Sequence, residues 1–453
     1  ENIKNKINEL FGLIPKGISN VVNEPYNIEY QINSLNTKIN EINKELETIK
    51  LNLKTENDNG VFDIVIGNPP YVQVPKGIFS AKQFPYSEGK DKGKQNLYKV
   101  FVENSYNLLK DNGVATMIVQ SSLMCDISSQ FTRELLLTKT TIKEILEFPK
   151  KPKTKEGQVF DNVLQGTCIY NFTRKIPKIN QKFNVSIDND VTTISKLKYE
   201  ELTQQELMEI YPNGYFIPLV NENETGLIKK INVNSIFFLN YIEYSEKGDI
   251  NLGTDKKIIT LENTGIHLYR GANSQKYFFN DITNEYIKNV EKIKIRLNRN
   301  NSNVYFLNQQ ITGTTDKFRL HFTVVDSLNA IYGDSLRITG LKKECNYYVF
   351  LPILNSKLID WYFRKTSTNN NVNGYEINQL PIKLPKNEQP FITLVNQILS
   401  DKKLGKNTTH LEHQIDVMVY HLYDLTFTEA QVIDAGLSAD DFEKYKILNP
   451  HNG

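Results

Sequence analysis

The sequence predicts an α/β protein: a partial Rossmann-like sheet, then an α+β domain, then a group of carboxyl-terminal helices. Three observations predict it. Short, almost continuous apolar runs such as VFDIVIGN (61–68) and VATMIV (114–119) alternate with stretches of helical periodicity. Beyond about residue 175 that alternation gives way to short β-prone runs between turn clusters. The tail returns to apolar residues at steps of three and four.

The segment EYQINSLNTKINEINKELETIKLNL (29–53) sets Ile32, Leu35, Ile39, Ile42, Leu46 and Ile49 on one stripe, so residues 1–55 are expected to form a helical leader. VFDIVIGN reads as a buried parallel strand that stops at a Gly-Asn-Pro-Pro turn. LYKVFVENSYNLLKDNG (97–113) reads as a helix with Leu97, Phe101, Ser105, Leu108 and Leu109 inward and a left-handed cap at Gly113. VATMIV is the next buried strand; a helix near 129–138, the strand IKEILEF (142–148) and a strand within VLQGTCIYNF (163–172) follow. Over 56–175 this gives a parallel sheet with an antiparallel strand at one edge.

Residues 176–229 read as a connector and 230–390 as a separate α+β domain. Within it YFF (277–279), VYFL (304–307) and LHFTVV (320–325) are β-prone, and NYYVFLPILNSKLIDWYF (346–363) reads as a strand leading into a helix. In 391–453, Leu411, Ile415, Met418, Val419 and Leu422 share a face, and a second short helix near Thr428 completes a docking hairpin.

At 453 residues the chain has room for two or three domains. It has no apolar run of about 18 residues and no apolar leader, which excludes a helical membrane span and a visible secretion signal, and its three separated cysteines suit a reducing cytoplasm. Cys125, Cys168 and Cys345 lack the spacing of a zinc site or disulfide framework. A net charge of +2 leaves a nucleic-acid partner open, because a basic face can hide in a balanced total.

The chemistry concentrates at Asn68, Pro69, Pro70 and Tyr71, at the carboxyl end of a buried strand, where open α/β sheets hold ligands. Two prolines fix the backbone, so the Pro69 carbonyl is a rigid acceptor. Asn68 adds a side-chain acceptor and Tyr71 a flat ring, a set that suits a planar aromatic amine. A base in a duplex reaches such a cleft only after rotating out of the stack, and Phe160 is the candidate second wall. The alternative is a rigid turn beside an ordinary core aromatic.

Asn-Pro-Pro-Tyr, then Asn-Leu-Tyr-x-x-Phe (96–101), Asn-Gly-Val (112–114) and Val-Phe-Asp-Asn-Val (159–163) occur in an order that resembles the second half of gamma-class adenine-N6 DNA methyltransferases. FLPILNSKLIDWYF with GYEINQLPIKLP (374–385) resembles a TaqI-like specificity domain, and LEHQIDVMVYHLYDLT resembles the terminus of single-chain type IIG restriction-modification enzymes. The resemblance implies sequence-specific methylation of adenine N6, with S-adenosylmethionine as donor and double-stranded DNA as partner. It implies that Asn68 and Pro69 bind the target amine, that Tyr71 stacks on the flipped base and that Phe160 contacts its other side.

Lys292, Lys294, Arg296, Arg299, Lys317, Arg319 and Arg337, interleaved with Tyr, Phe and Asn, are the expected DNA contacts, with Lys342 and Lys343 nearby. Two Lys- and Gly-rich loops, 75–96 and 149–157, flank the expected pocket and read as mobile without DNA. The glycine-rich loop that holds S-adenosylmethionine in this family is not found in the 67 residues before Asn68, and Tyr-Arg-Gly-Ala-Asn (269–273) lacks the flanking strand and helix. The donor half is therefore expected on an upstream segment or a separate subunit, together with any metal-dependent nuclease. Two other functions remain open from sequence: a non-catalytic DNA-specificity module, and a methyltransferase acting on RNA or a protein glutamine.

Overall fold

A computed structural model describes residues 33, 36–44, 60–91, 95–150, 157, 159–160, 165–288, 304–326, 330–368 and 370–446. Of the expected leader, residues 36–44 are helical with Ile39 exposed; the rest lies outside the described residues.

The first unit is a six-stranded sheet. Its elements are β1 (Phe62–Gly67), α1 (Leu97–Leu108), β2 (Leu109–Gln120), α2 (Gln130–Lys139), β3 (Thr141–Phe148), β4 (Thr167–Thr173), β5 (Lys182–Ser186) and β6 (Glu200–Thr203). The spatial order is β1-β2-β4-β3-β5-β6. β1 and β2 are parallel across the α1 crossover, as are β3 and β5, whereas β4 runs antiparallel between β2 and β3. The antiparallel strand is thus interior rather than at the edge. Its two neighbours both satisfy its backbone groups, and Cys168, Tyr170 and Phe172 fill the core.

β1 is the edge, and it is not buried. Ile64 and Ile66 are 64% and 77% exposed, and among the described residues β2 alone pairs with the strand. Val114, Thr116, Ile118, Ile169 and Asn171 lie on the same face by register and are only partly buried. The opposite face, with Ala115, Met117, Val119, Tyr170 and Phe172, is sealed. Each isoleucine left in water forgoes about 1.5–3 kcal/mol of burial, so this apolar face is built to be covered.

Helix α1 is capped by Asn96 and turns Tyr98, Val102 and Ser105 inward. Phe101, expected inside, points outward and is exposed. Asn112 (φ 64°), not Gly113, takes the left-handed conformation, in a bulge within β2, because a short polar side chain tolerates that region. The stretch 176–229 is more than a connector: β5 and β6 extend the sheet, and α3 (Gln204–Ile210) and α4 (Glu224–Asn232) pack beside it.

The second unit holds an antiparallel sheet of β7 (Ile242–Lys247), β8 (Val304–Gln309), β9 (Phe322–Asp326) and β10 (Leu336–Leu341), in the order β7-β10-β8-β9. A second sheet of short strands includes His267–Tyr269 and Ala330–Tyr332. Asn346–Phe363 forms two helices, α5 (Tyr347–Leu354) and α6 (Lys357–Lys365), rather than a strand and a helix. Asn346 and Ser356 cap them, and the all-round burial of α5 explains why its apolar run mimics a strand. Helices α7 (Gln389–Lys403), α8 (Thr409–Leu422), α9 (Phe427–Ile433) and α10 (Ala439–Lys444) complete the chain. α8 is buried on almost every side, and α9 begins with a Thr426–Glu429 capping box. One hydrophobic cluster runs from the six-stranded sheet through α5, α6, α7 and α8.

Buried Arg133 ties the sheet to the segment after α3. Its guanidinium donates to the carbonyls of Leu123, Asp126, Gly214 and Tyr215 at 2.7–3.1 Å.

Candidate active site

Asn68-Pro69-Pro70-Tyr71 follows β1 at the carboxyl edge of the sheet. Pro69 is buried and Asn68 exposed, and no described residue hydrogen-bonds the Asn68 side chain. The chain just beyond is pinned. The Val72 carbonyl accepts the Leu97 N–H at 3.0 Å, and Gln73–Val74 pairs antiparallel with Gln95–Asn96. The motif is therefore tied to the amino end of α1.

Tyr71 is half-buried, and its ring meets that of Phe160 edge to face, with centroids 6.4 Å apart and planes at 77°. The pair thus makes a stacking face and an edge-on wall, not two parallel plates. Among the described residues the buried Tyr71 hydroxyl has no hydrogen-bond partner. Burial, and secondarily the neighbouring Cys168, pushes its phenol well above the usual range, so it stays neutral.

Phe160 also lines a small recess with Phe148, Pro149, Lys150, Val159, Gln165 and Thr167. A relay of amides runs along the sheet edge to this recess: Asn96 Nδ2 donates to Gln120 Oε1 at 3.1 Å, and Gln120 Nε2 donates to Gln165 Oε1. Below it the Ser121 N–H donates to the Gly166 carbonyl at 2.9 Å. At the end of β3 lies Glu147, whose carboxyl burial raises to about 8, against one hydrogen bond from the Asp188 N–H at 3.0 Å.

The loop 75–96 is folded where it is described. A helical turn, Pro85–Lys90, docks on buried Glu103, whose carboxylate accepts the Tyr86 and Ser87 N–H groups at 3.1 and 2.8 Å and the Ser87 hydroxyl at 2.6 Å. Those three bonds hold the 85–90 turn against α1. Most of the 149–157 loop lies outside the described residues.

The expected DNA contacts divide three ways. Lys292, Lys294, Arg296 and Arg299 lie outside the described residues, and Lys317, Lys342 and Lys343 are exposed. Arg319 and Arg337 are interior. Arg319, 1% exposed, spends its guanidinium on Thr312, Ser367 and the Asn371 carbonyl and sits 5.0 Å over the Phe363 ring. Arg337 bonds Ser245 and Gln310. Neither is free for a phosphate; an arginine looks the same in sequence whether its side chain turns inward, as from the bend at Arg319 and the strand at Arg337, or out to solvent. Sequence reasoning did not single out Gln120, Gln165 or Thr167, since isolated polar residues at strand ends carry no pattern, although Gln165 and Thr167 lie within the run VLQGTCIYNF and Asn96 opens the Asn-Leu-Tyr-x-x-Phe motif.

Among the described residues no group of His, Cys, Asp and Glu side chains could hold a metal ion, and no helix is long and apolar enough to cross a membrane. Tyr269–Asn273 follows a short strand, but a single turn, Gly271–Asn273, stands where a phosphate- or nucleoside-binding helix would begin.

The fold is that of restriction-modification enzymes. The DNA-bound structure of the type IIL restriction-modification enzyme MmeI superposes with a TM-score of 0.51 at 10% identity, covering 84% of this chain and 56% of that one. The Methanocaldococcus jannaschii protein RM.MjaORFECS2P, named as a type II restriction enzyme and methyltransferase, is 23% identical over 410 residues, 80% of this chain and 31% of its own length. The type II methyltransferase M.BsuBI of Bacillus subtilis is 27% identical over 175 residues, 38% of this chain and 33% of its own. The chain thus spans about a third of the length of these curated relatives. Residues 2–154, which carry β1, Asn-Pro-Pro-Tyr, α1 and β2, match the model of the Eco57I restriction-modification methylase family.

Proposed function

We propose that the chain is the target-base and DNA-reading part of a restriction-modification methyltransferase that modifies adenine N6 in a specific duplex sequence. One observation carries this reading: at the carboxyl end of β1 the exposed Asn68, bonded to no described side chain or backbone, precedes the fixed Pro69 carbonyl and Tyr71, whose ring meets that of Phe160.

A flipped adenine fits that set. Asn68 Oδ1 and the Pro69 carbonyl accept the two amine N–H bonds, drawing the nitrogen out of conjugation and exposing its lone pair. Tyr71 takes the face of the base, and Phe160 bounds its edge. The methyl group comes from S-adenosylmethionine. The described residues provide no glycine-rich cradle for that donor beside β1, so the chemistry assigned to this chain is that of the acceptor. The open edge of β1 and the exposed Ile64 and Ile66 suit a further strand and helix layer, and we assign them to the upstream segment or subunit that holds the donor. Residues 230–390 act as the target-recognition domain, with Lys317, Lys342 and Lys343 positioning phosphates along with the basic run at 292–299.

The test is to express the chain together with the segment or subunit that supplies the donor half, in a host without DNA methylation, and to map modified bases. N6-methyladenine at one position of one sequence is expected. Methylcytosine, or methylated RNA or glutamine with unmodified DNA, would overturn the proposal.

A further inference from the structure

We propose that Thr167 and Gln165 read the ring edge of the adenine in the recess behind Phe160, and so act as specificity-determining residues. This inference rests on the adenine reading of Asn68 and Tyr71.

Thr167 is the first residue of β4, 3% exposed, and among the described residues its buried hydroxyl has no hydrogen-bond partner while lining the recess. A buried hydroxyl left unpaired costs stability unless a ligand supplies its partner. Gln165, two residues earlier, lines the same recess. Its Oε1 faces the Gln120 amide, which accepts from Asn96, and its Nε2 is left as a donor. An amide donor and a hydroxyl that can donate or accept, set beside an aromatic wall, can both serve ring nitrogens. The ring nitrogens N1, N3 and N7 of adenine are all acceptors, while its donors are used by Asn68 and Pro69. Guanine would bring its O6 acceptor against the Asn68 and Pro69 acceptors, and a pyrimidine would not carry a second ring to the recess. A hydrogen-bonding site of this kind rejects a base that lacks the matching atom far more strongly than an apolar slot can.

The experiment places adenine, 1-deazaadenine, 3-deazaadenine or 7-deazaadenine at the target position of a cognate duplex. Single-turnover methyl transfer is measured for the active methyltransferase and its Thr167→Val, Gln165→Ala and Asn68→Ala variants. Thr167→Val conserves shape, and melting curves check that each variant folds. In the wild type, one or two of the deaza analogues should slow transfer tenfold or more. Thr167→Val or Gln165→Ala should slow adenine by a similar factor and abolish the further effect of one particular analogue. Equal slowing of all four bases, or no change in any, would overturn the proposal while leaving the adenine reading intact. Wild-type transfer by Asn68→Ala would overturn the adenine reading itself, and this inference with it.

Discussion

Asn68→Ala separates chemistry from folding unusually well. The side chain is exposed and makes no hydrogen bond with a described residue, so its loss should change stability by no more than about 0.5 kcal/mol. Pro69 and Tyr71 keep their positions, because the ribbon of Gln73–Val74 with Gln95–Asn96 holds that segment. What disappears is one of two acceptors for the amine, an interaction that strengthens as positive charge develops on the nitrogen. Loss of one such preorganised group costs about 3–4 kcal/mol, or roughly 10²–10³ in the rate of transfer. Single-turnover transfer of a labelled methyl group, a thermal melt and a DNA band shift measure the three quantities. The rate should fall by that factor with melting temperature and DNA affinity nearly unchanged. Transfer at the wild-type rate would refute the role of Asn68, and a matching fall in melting temperature would make the residue structural.

Tyr71→Phe should preserve transfer and leave stability equal or higher, since it removes a buried hydroxyl with no hydrogen-bond partner among the described residues, whereas Tyr71→Ala should weaken base flipping; 2-aminopurine fluorescence at the target position separates the two. Glu147 has a folded-state value of about 8 against an ordinary 4.5, so the folded chain holds a proton that the unfolded chain releases between those values. Its contribution is complete below about pH 4.5 and is lost as pH rises toward 8, a change of up to roughly 4–5 kcal/mol. Melts from pH 5 to 8.5 should show Glu147→Gln flattening that decline, and parallel wild-type and variant curves would contradict it. Lys317→Ala should weaken binding to all duplexes alike and reduce the slope of log affinity against log salt by about 1. Arg319→Met should instead lower stability by about 1–3 kcal/mol, as Thr312, Ser367 and the Asn371 carbonyl lose their donor.

The α/β architecture and the place of the motif were legible because they are written in local pattern. An apolar run that breaks at Asn68-Pro69-Pro70 has few readings other than a strand stopping at the edge of a sheet, and β2, β3 and β4 lie close to where their runs put them. Which neighbours a strand finds is not local. β4 as an interior antiparallel strand, and β5 and β6 as further members of the sheet, depend on contacts over tens of residues. The edge position of β1 was hidden for a physical reason: VFDIVIGN has the composition of a strand covered on both sides, and its cover is not among the described residues. Helix α5 was misread because a helix buried all round loses the polar face that reveals its period. Around the candidate site, motif order singles out Asn68, Tyr71 and Phe160, and the structure brings the Tyr71 and Phe160 rings together. Gln120, Gln165 and Thr167 come together only when β2 and β4 pair.

A structure of the protein with its target duplex tests the central claim most directly. The account predicts one adenine rotated out of the helix, its N6 at hydrogen-bond distance, about 2.8–3.2 Å, from Asn68 Oδ1 and the Pro69 carbonyl, with its ring on Tyr71 and its edge against Phe160. A duplex bound with every base stacked, or a flipped cytosine in that place, would contradict it.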